Sequence, residues 1–360
     1  MNTWDKVPGM VVHEREPYNA EPPGAALAGR PLTPVAAFYS RNHGPVPDLA
    51  PERWRLRVDG LVERPLELSL DDLRRCFGQT EVTATLQCAG NRRTGLAAVR
   101  DIPGEHPWGA GAVSTARWSG VRLAEVLAEA GPRPEAAHIA FSAPDVSEVA
   151  APPETYGGSV PLDKARSPEV LLAHTMDGRP LPRVHGAPLR VVVPGWIGAR
   201  SVKWLTRVTV SDRPSDNYFQ ATAYRMLPAG AEPGPGEGVP LGPLAVNCAV
   251  LTPGDGDRPP SGPVPVAGYA LAGEGRTVAR VEVSADGGES WTRAETDPAA
   301  SPWAWQHWRT TVELPPGETE LIARAYDSAG AAMPESPAAV WNPKGYANNS
   351  WSRVRVRCRG

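Results

Sequence analysis

The alternation of apolar and polar residues predicts both strands and helices in the first part of the chain. Residues 54–60 alternate as a half-buried strand does, whereas residues 189–193 are largely apolar, which predicts a buried strand. Residues 69–73 begin with capping-box spacing, and residues 123–130 carry apolar side chains at helical spacing before Gly131. This mixture predicts an α+β domain.

A proline- and glycine-rich segment then changes the pattern. Residues 229–236 can support neither a helix nor a strand ladder, so they predict a boundary between residues 1–228 and residues 244–360. Residues 284–291 are interpreted as a hairpin turn stabilised by Asp286. The second domain alternates with period two in several short segments, which is typical of a β-sandwich: residues 264–271, 278–284, 303–314 and 320–326.

Composition narrows the class of protein. Gly (36) and Pro (41) make up about one residue in five, but 41% hydrophobic residues and 12 Trp argue for packed cores with many turns. We expect the proline-rich first thirty or so residues to wrap the surface of the first domain. A net charge of −3 indicates neither a nucleic-acid partner nor a membrane surface. No apolar stretch approaches the roughly 18 residues of a membrane span, and residues 1–6 carry no secretion signal, so a cytoplasmic location is expected.

The four cysteines are far apart and contain no C-x-x-C pair, which supports neither a zinc site nor a disulfide framework. A C-x-x-C-H motif is also missing, so we expect no covalent haem. Cys88 differs from the others because Arg92 and Arg93 follow it after a β-rich stretch. Adjacent cations favour the thiolate, the form that binds metal or attacks a substrate. On this run alone, a buried structural cysteine beside two surface arginines remains the alternative.

The run from Thr85 to Arg93 resembles the molybdenum-ligand motif of the sulfite oxidase family. Further segments match that family in chain order: residues 38–47, 111–118, 156–162, 185–204, 268–270 and 281–288. Together they cover almost the whole chain and look most like the haem-free, plant-type members. The resemblance implies a sulfite-oxidase-type molybdopterin-binding domain followed by an immunoglobulin-like β-sandwich that forms a homodimer.

The resemblance also implies a set of site residues. Molybdenum would be held by the two dithiolene sulfurs of one molybdopterin and by the Cys88 thiolate, a soft ligand suited to that ion. Arg41 and Arg93 would bind sulfite, because a guanidinium fork holds an oxyanion in a fixed orientation. Tyr156 would hydrogen-bond the oxo group or the substrate, and Trp108 would wall the pocket. Nine residues match the positions that bind the pterin and its phosphate: Tyr39, Asn42, His43, Asp145, His185, Arg190, Ser201, Val202 and Lys203.

One position departs from the family. The C-terminal tryptophan–asparagine motif usually supplies a further active-site arginine, but the segment after Trp341 and Asn342 has Lys344 in that place. The positive charge is kept and the bidentate fork is lost. This difference bears on the affinity for the oxyanion and on its identity, and it leaves the expected cofactor unchanged.

The implied activity is oxidation of sulfite to sulfate, with two electrons passed to an external acceptor that the sequence does not name. A nitrate reductase-like molybdenum enzyme is the alternative within the superfamily, and a binding or assembly protein that lost its metal is an alternative from another class. A Ser-His-Asp hydrolase is not supported, because no G-x-S-x-G motif occurs. Tryptophans favour interface cores, although we expect the sandwich core to claim at least half of these five: Trp303, Trp305, Trp308, Trp341 and Trp351.

Overall fold

Two five-stranded sheets form the first domain in the computed structural model, which describes residues 4–359. Residues 1–3, at the start of the segment expected to lack a secretion signal, and Gly360 lie outside the described part. One sheet is mixed, with its strands in the spatial order Leu66–Leu68, Leu56–Gly60, Arg207–Ser211, His138–Ser147 and Glu154–Pro161. The other is antiparallel: Arg179–Pro180, Leu171–Met176, Val113–Arg122 and Gln79–Gln87, with Arg190–Val192 also paired to Leu171–Met176.

Local sequence signals explain where the longer helices begin and end. At the start of Leu70–Cys76, the Ser69 hydroxyl accepts from the Asp72 amide and the Asp72 carboxylate accepts from the Ser69 amide, as the capping-box spacing predicted. Leu123–Ala130 ends at Gly131 in the left-handed conformation. The other helices are short: Gly24–Leu27, Arg93–Ala97, Leu162–Ala165 and Tyr218–Ala221, with 3-10 turns at Val35–Ala37, Arg183–His185, Gly198–Arg200 and Pro337–Val340. None of the helices within residues 4–359 is long and apolar enough to cross a membrane.

The second domain is a sandwich of two four-stranded sheets, as the period-two pattern predicted. The first sheet has the order Asn247–Thr252, Gly262–Leu271, Gln306–Leu314 and Glu295–Thr296, and the second has the order Thr292–Arg293, Val278–Ser284, Gly317–Asp327 and Ser352–Cys358. Val266, Val281 and Trp308 are buried between them. The hairpin turn forms as interpreted, with the Asp286 carboxylate accepting from the Ser290 amide at 3.0 Å. A two-strand ribbon, Arg225–Met226 with Val239–Pro240, brackets the linker.

The N-terminal segment does not merely wrap the surface, so that expectation was wrong. Its strands Val11–Glu14 and Asn19–Glu21 pair with each other, and all of Asn19–Glu21 is buried. Glu21 accepts hydrogen bonds from the amides of Gly109 (2.6 Å) and Gly111 (2.8 Å). Leu27 packs with apolar residues of both domains. The segment therefore joins the two domains and supports the loop before Val113–Arg122.

The tryptophans of the second domain are engaged within the chain. Trp308 lies in the sandwich core, and Trp351 packs against that core. Trp305 is buried against the first domain, where its amide donates to the Thr85 hydroxyl at 2.8 Å. Trp303 contributes to the first-domain apolar cluster around Phe38. Trp341 Nε1 donates to the Arg100 carbonyl of the first domain. Three of the five tryptophans therefore contact the first domain, so the expectation that the sandwich core claims at least half of them was wrong, and their placement does not support the predicted homodimer.

Candidate active site

The strand Gln79–Gln87 delivers Cys88 to the boundary between the two domains. The Cys88 amide donates to the Ala112 carbonyl at 2.9 Å, and its thiol accepts from the Gly90 amide at 3.4 Å. Arg92 then adopts a left-handed conformation (φ 62°) and starts the helix Arg93–Ala97. A Cβ at Gly90 would lie 2.5 Å from the Arg93 guanidinium, so only glycine lets this cation fold back over the turn.

A cavity opens beside the Cys88 thiol in the first domain. It contains about 630 Å³ of space between protein atoms, its mouth included. Most of the residues implied by the resemblance line it: Tyr39, Arg41, Asn42, His43, Cys88, Asp145, Tyr156, His185, Arg190, Ser201 and Lys203. Val202 does not. Its side chain packs in the first-domain core and its carbonyl accepts from the Val191 amide, which leaves its backbone amide as the group that could contact a phosphate.

The cavity fits an anionic group that offers many hydrogen bonds. Three buried polar atoms in or beside it have no hydrogen-bond partner among the described residues: Ser40 Oγ, Asp145 Oδ1 and Arg190 Nε. A Cβ at Gly198 would approach the Tyr39 hydroxyl to 2.8 Å, so glycine keeps the space open. Within residues 4–359 no three His, Cys, Asp or Glu side chains could together hold a metal ion. A metal bound here would therefore need ligands from a cofactor besides Cys88, as molybdopterin provides.

Basic side chains cluster around His185, which lines this cavity. Arg190 donates to the carbonyls of His185 and Ser201, both at 2.9 Å, and the Lys6 ammonium lies 2.7 Å from His185 Nε2. Burial, together with neighbouring cations, holds the pKa values of His185 and Lys203 well below their ordinary range, and burial lowers the pKa of Arg190 to about 10. A bound phosphate would favour the charged forms of these side chains, which burial disfavours. This part of the cavity is therefore suited to the cofactor's phosphate.

A second, adjoining cavity has the chemistry of an oxyanion pocket. It shares Arg41, His43, Cys88 and Tyr224 with the first cavity. Four of the residues assigned to the substrate by resemblance lie here together with the thiol: Arg41, Arg93, Trp108 and Lys344. Trp108 is fully buried and packs edge-to-face on His13, with 4.5 Å between ring centroids. Lys344 comes from the second domain, so the pocket is completed across the domain boundary.

The pocket arginines are fixed by the protein before any substrate binds. Arg93 Nε donates to the Lys344 carbonyl at 3.0 Å, and its Nη1 donates to the His106 carbonyl at 2.8 Å. Arg41 donates to the Asn42 carbonyl. A Cβ at Gly345 would come within 2.6 Å of the Arg93 side chain, so glycine at that position admits the close approach. These contacts hold the guanidinium groups in one orientation, as rigid oxyanion recognition requires.

Burial changes the expected ionisation of Cys88. In this structure burial raises the pKa of the Cys88 thiol, and the nearby Arg93 and Arg41 only partly oppose this effect. The adjacent cations are therefore not enough to lower the pKa, contrary to what the sequence run suggested. Coordination to a metal deprotonates a thiol outright, so the thiolate expected here depends on the metal.

Two tyrosines compete for the role assigned to Tyr156. The Tyr156 hydroxyl donates to the Ala199 carbonyl at 2.8 Å, and its ring stacks on His43. The Tyr224 hydroxyl lies 2.6 Å from His43 Nε2 in the space shared by both cavities. Burial raises the pKa of Tyr224, while Arg41 beside it opposes the rise. We propose that Tyr224, rather than Tyr156, hydrogen-bonds the substrate.

Tyr224→Phe is expected to lower kcat/KM for the oxyanion substrate by roughly 10- to 100-fold, because a hydrogen bond to a charged group contributes about 1.5–3 kcal/mol. Tyr156→Phe removes a bond to a backbone carbonyl, so it should mainly reduce thermal stability. Steady-state kinetics and thermal unfolding of both variants measure the difference. The opposite ranking of the two variants in kcat/KM would return the role to Tyr156.

Several site residues have no motif in the sequence. Glu105 forms ion pairs with Arg93 and Lys344, but it lies in a loop of prolines and glycines with no recognisable pattern. Tyr224 has a left-handed backbone conformation (φ 52°), which the presence of a tyrosine at this position does not predict. Lys6, near the start of the chain, contacts His185, which lines the first cavity. Only the fold brings these side chains to the two cavities.

Comparisons with known proteins define the class. Residues 43–219 match the family described as "Oxidoreductase molybdopterin binding domain", and residues 241–359 match the "Mo-co oxidoreductase dimerisation domain". The cavities beside Cys88 are thus those of a molybdopterin-dependent oxidoreductase. Sulfite oxidase of Gallus gallus is 44% identical over 96% of this chain and 77% of that protein, and sulfite oxidase of Arabidopsis thaliana is 39% identical over 97% of this chain and 94% of that protein. The chain belongs to the sulfite oxidase family.

Three further comparisons bear on the finer expectations. The sulfane dehydrogenase SoxCD of Paracoccus pantotrophus superposes with a TM-score of 0.82 at 29% identity, covering 98% of this chain and 87% of that one, which supports the expected fold. A nitrate reductase of Hordeum vulgare is 37% identical over 96% of this chain and 41% of that protein. The chain spans about two thirds (66%) of the human mitochondrial sulfite oxidase, which is 42% identical. The chicken protein is the more similar of the two by identity (44% against 39%), whereas the plant protein is matched over more of its own length (94% against 77%).

Proposed function

We propose that this protein oxidises sulfite to sulfate at the pocket formed by Arg41, Arg93 and Lys344 beside Cys88. The observation that carries the proposal is that these three cations line the same cavity as Cys88. Among the described residues, Cys88 is the only cysteine that lines this cavity and could bind the cofactor's metal there. Similarity to the sulfite oxidases supports it. The balanced reaction converts sulfite and water into sulfate, two protons and two electrons.

Each pocket residue has a definite part in this reaction. Arg41 and Arg93 donate hydrogen bonds to the substrate oxygens, balance their negative charge and orient the sulfur toward the Cys88 side of the pocket. The Tyr224–His43 pair can donate a hydrogen bond to an oxygen and pass on a proton released at that point. The buried Trp108 side chain forms one wall of the pocket and provides an apolar surface there. When bound, the molybdenum cofactor would supply the transferable oxo group and accept the two electrons.

The test compares sulfite and nitrate as substrates of the molybdenum-loaded protein. We expect sulfite-dependent reduction of ferricyanide, with sulfate as product, and no comparable oxidation of a reduced viologen dye by nitrate. Nitrate turnover exceeding sulfite turnover would instead support the nitrate reductase-like alternative. Protein that binds no molybdenum would support a binding or assembly role.

We propose that the electrons from sulfite pass to an external acceptor, that is, to a separate molecule. Assays with oxygen, a soluble cytochrome and ferricyanide, at equal sulfite concentration, would rank the candidates. The acceptor that supports the fastest sulfite turnover in the absence of ferricyanide identifies the chemical class of the electron acceptor. This assay does not alter the assignment of the sulfite pocket.

We also propose that the protein is a homodimer, on the basis of the match of residues 241–359 to a dimerisation domain. Sedimentation velocity at micromolar concentration should show a species of about twice the 38.4 kDa chain mass. The profile should persist in moderate salt if the interface is largely apolar. A profile with only the 38.4 kDa species would contradict this prediction.

A further inference from the structure

The oxyanion pocket contains a carboxylate of its own. Glu105 Oε2 lies 3.2 Å from an Arg93 Nη2, and Glu105 Oε1 forms an ion pair with the Lys344 ammonium. Glu105 lines the same cavity as Arg41 and Cys88. A pocket that selects anions by charge alone would exclude an acidic side chain, so this placement calls for an explanation.

Solvent does not screen this carboxylate effectively. The side chains of Arg93, Glu105 and Lys344 are 4%, 15% and 26% exposed, respectively. The loop is held beside the cations, since Arg93 donates to the carbonyl of the adjacent His106, whose ring pairs with Glu14. Charge interactions among partly desolvated groups are strong. Glu105 therefore reduces the positive potential felt by any anion that enters.

The carboxylate pairs directly with only some of the pocket cations. Arg93 and Lys344 share Glu105, whereas Arg41 has no acidic ion-pair partner among the described residues and interacts with Glu105 only through its electrostatic field. An oxygen near Glu105 is repelled if it is fully deprotonated, but can donate a hydrogen bond to the carboxylate if it carries a proton.

We propose that Glu105 determines specificity, because its carboxylate matches the pocket to a singly charged, protonated oxyanion and disfavours dianions. The inference rests on the proposed function, with the substrate entering as the monoanion hydrogen sulfite and the product leaving as the dianion sulfate. In this form hydrogen sulfite and water give sulfate, three protons and two electrons. Glu105 lowers affinity for the product more than for the substrate. Removing its charge should make the protein hold sulfate more tightly.

A merely structural role makes the opposite prediction. If Glu105 only positions Arg93 and Lys344, its removal disorders both cations, and sulfite and sulfate affinity fall together. If Glu105 tunes the charge of the pocket, its removal leaves the cations in place and strengthens dianion binding. The sign of the change in sulfate affinity distinguishes the two roles.

The experiment measures sulfate binding to molybdenum-loaded protein by calorimetry, and sulfate inhibition of sulfite turnover, in Glu105→Gln and Glu105→Ala. We expect the dissociation constant and the inhibition constant for sulfate to fall about tenfold, since relief of like-charge repulsion is a large effect in a partly desolvated site. The KM for sulfite should change less. Glu129→Gln is the matched control, because Glu129 pairs with Arg64 on the exposed surface.

Either variant that folds decides the question. Sulfate affinity that is unchanged or weaker in the folded variants overturns the proposal. The variants could bind sulfate more tightly although the unmodified protein does not oxidise sulfite. That result would support the role of Glu105 and reject the proposed function. Calorimetry makes these outcomes separable because it does not require turnover.

Discussion

Replacement of Cys88 by serine is expected to reduce sulfite oxidation to below about one per cent of the unmodified rate, a loss of at least about 2.7 kcal/mol in barrier. Serine offers a hard hydroxyl where the metal requires a soft thiolate. The fold should persist, since the thiol makes one weak hydrogen bond, to the Gly90 amide. Steady-state kinetics, molybdenum content and circular dichroism measure the three consequences separately.

Cys358→Ser is the matched control for that substitution. Cys358 has the same exposed fraction as Cys88 (5%) but lies in the strand Ser352–Cys358 of the sandwich, away from both cavities. Its replacement should leave kcat/KM within about twofold of the unmodified protein. Near-normal turnover in Cys88→Ser would show that Cys88 is not the metal ligand.

The second large effect is expected at Lys344. Lys344→Met removes a pocket cation and leaves Glu105 with Arg93 as its remaining partner. The decrease in kcat/KM should correspond to a loss on the order of 2–5 kcal/mol of transition-state stabilisation, nearer the lower limit because Lys344 is partly exposed. Lys344→Arg restores the guanidinium fork of the family. It should lower the KM for sulfite and make it less sensitive to salt.

Kinetics of both Lys344 variants at two ionic strengths test this expectation. The ion pair with Glu105 already places Lys344 at the pocket rather than on the outer surface. Unchanged kcat/KM in both variants would mean that substrate binding depends on Arg41 and Arg93 alone. A loss in Lys344→Met without a gain in Lys344→Arg would mean that charge, not the fork, is what the pocket needs.

Local patterns predicted the elements that depend on local forces. The capping box at Ser69 and the glycine after Ala130 define two helices within their own few residues. Alternation predicted the central strands of the sandwich because each has one face in the core. Alternation does not predict the strand Asn247–Thr252, because this strand lies between the two domains and is buried on both faces, so its residues do not alternate between apolar and polar.

The site could be predicted only where its residues lie in recognisable runs. Cys88 and Arg93 share one run, and Arg41 and Lys344 stand in others, so their convergence was foreseen from resemblance. Glu105 could not be foreseen, because its significance comes from two cations that approach it from different parts of the chain. The competition between Tyr156 and Tyr224 likewise depends on where each hydroxyl points. Val202 lies in a matching run but turns its side chain into the core.

The most direct test of the central claim is a single turnover without an electron acceptor. Molybdenum-loaded protein is mixed anaerobically with excess sulfite, and the sulfate formed is measured by ion chromatography against the molybdenum content. If the pocket beside Cys88 oxidises sulfite, one sulfate forms for each molybdenum, and none forms in Cys88→Ser. Fully loaded protein that leaves sulfite unoxidised would contradict that claim.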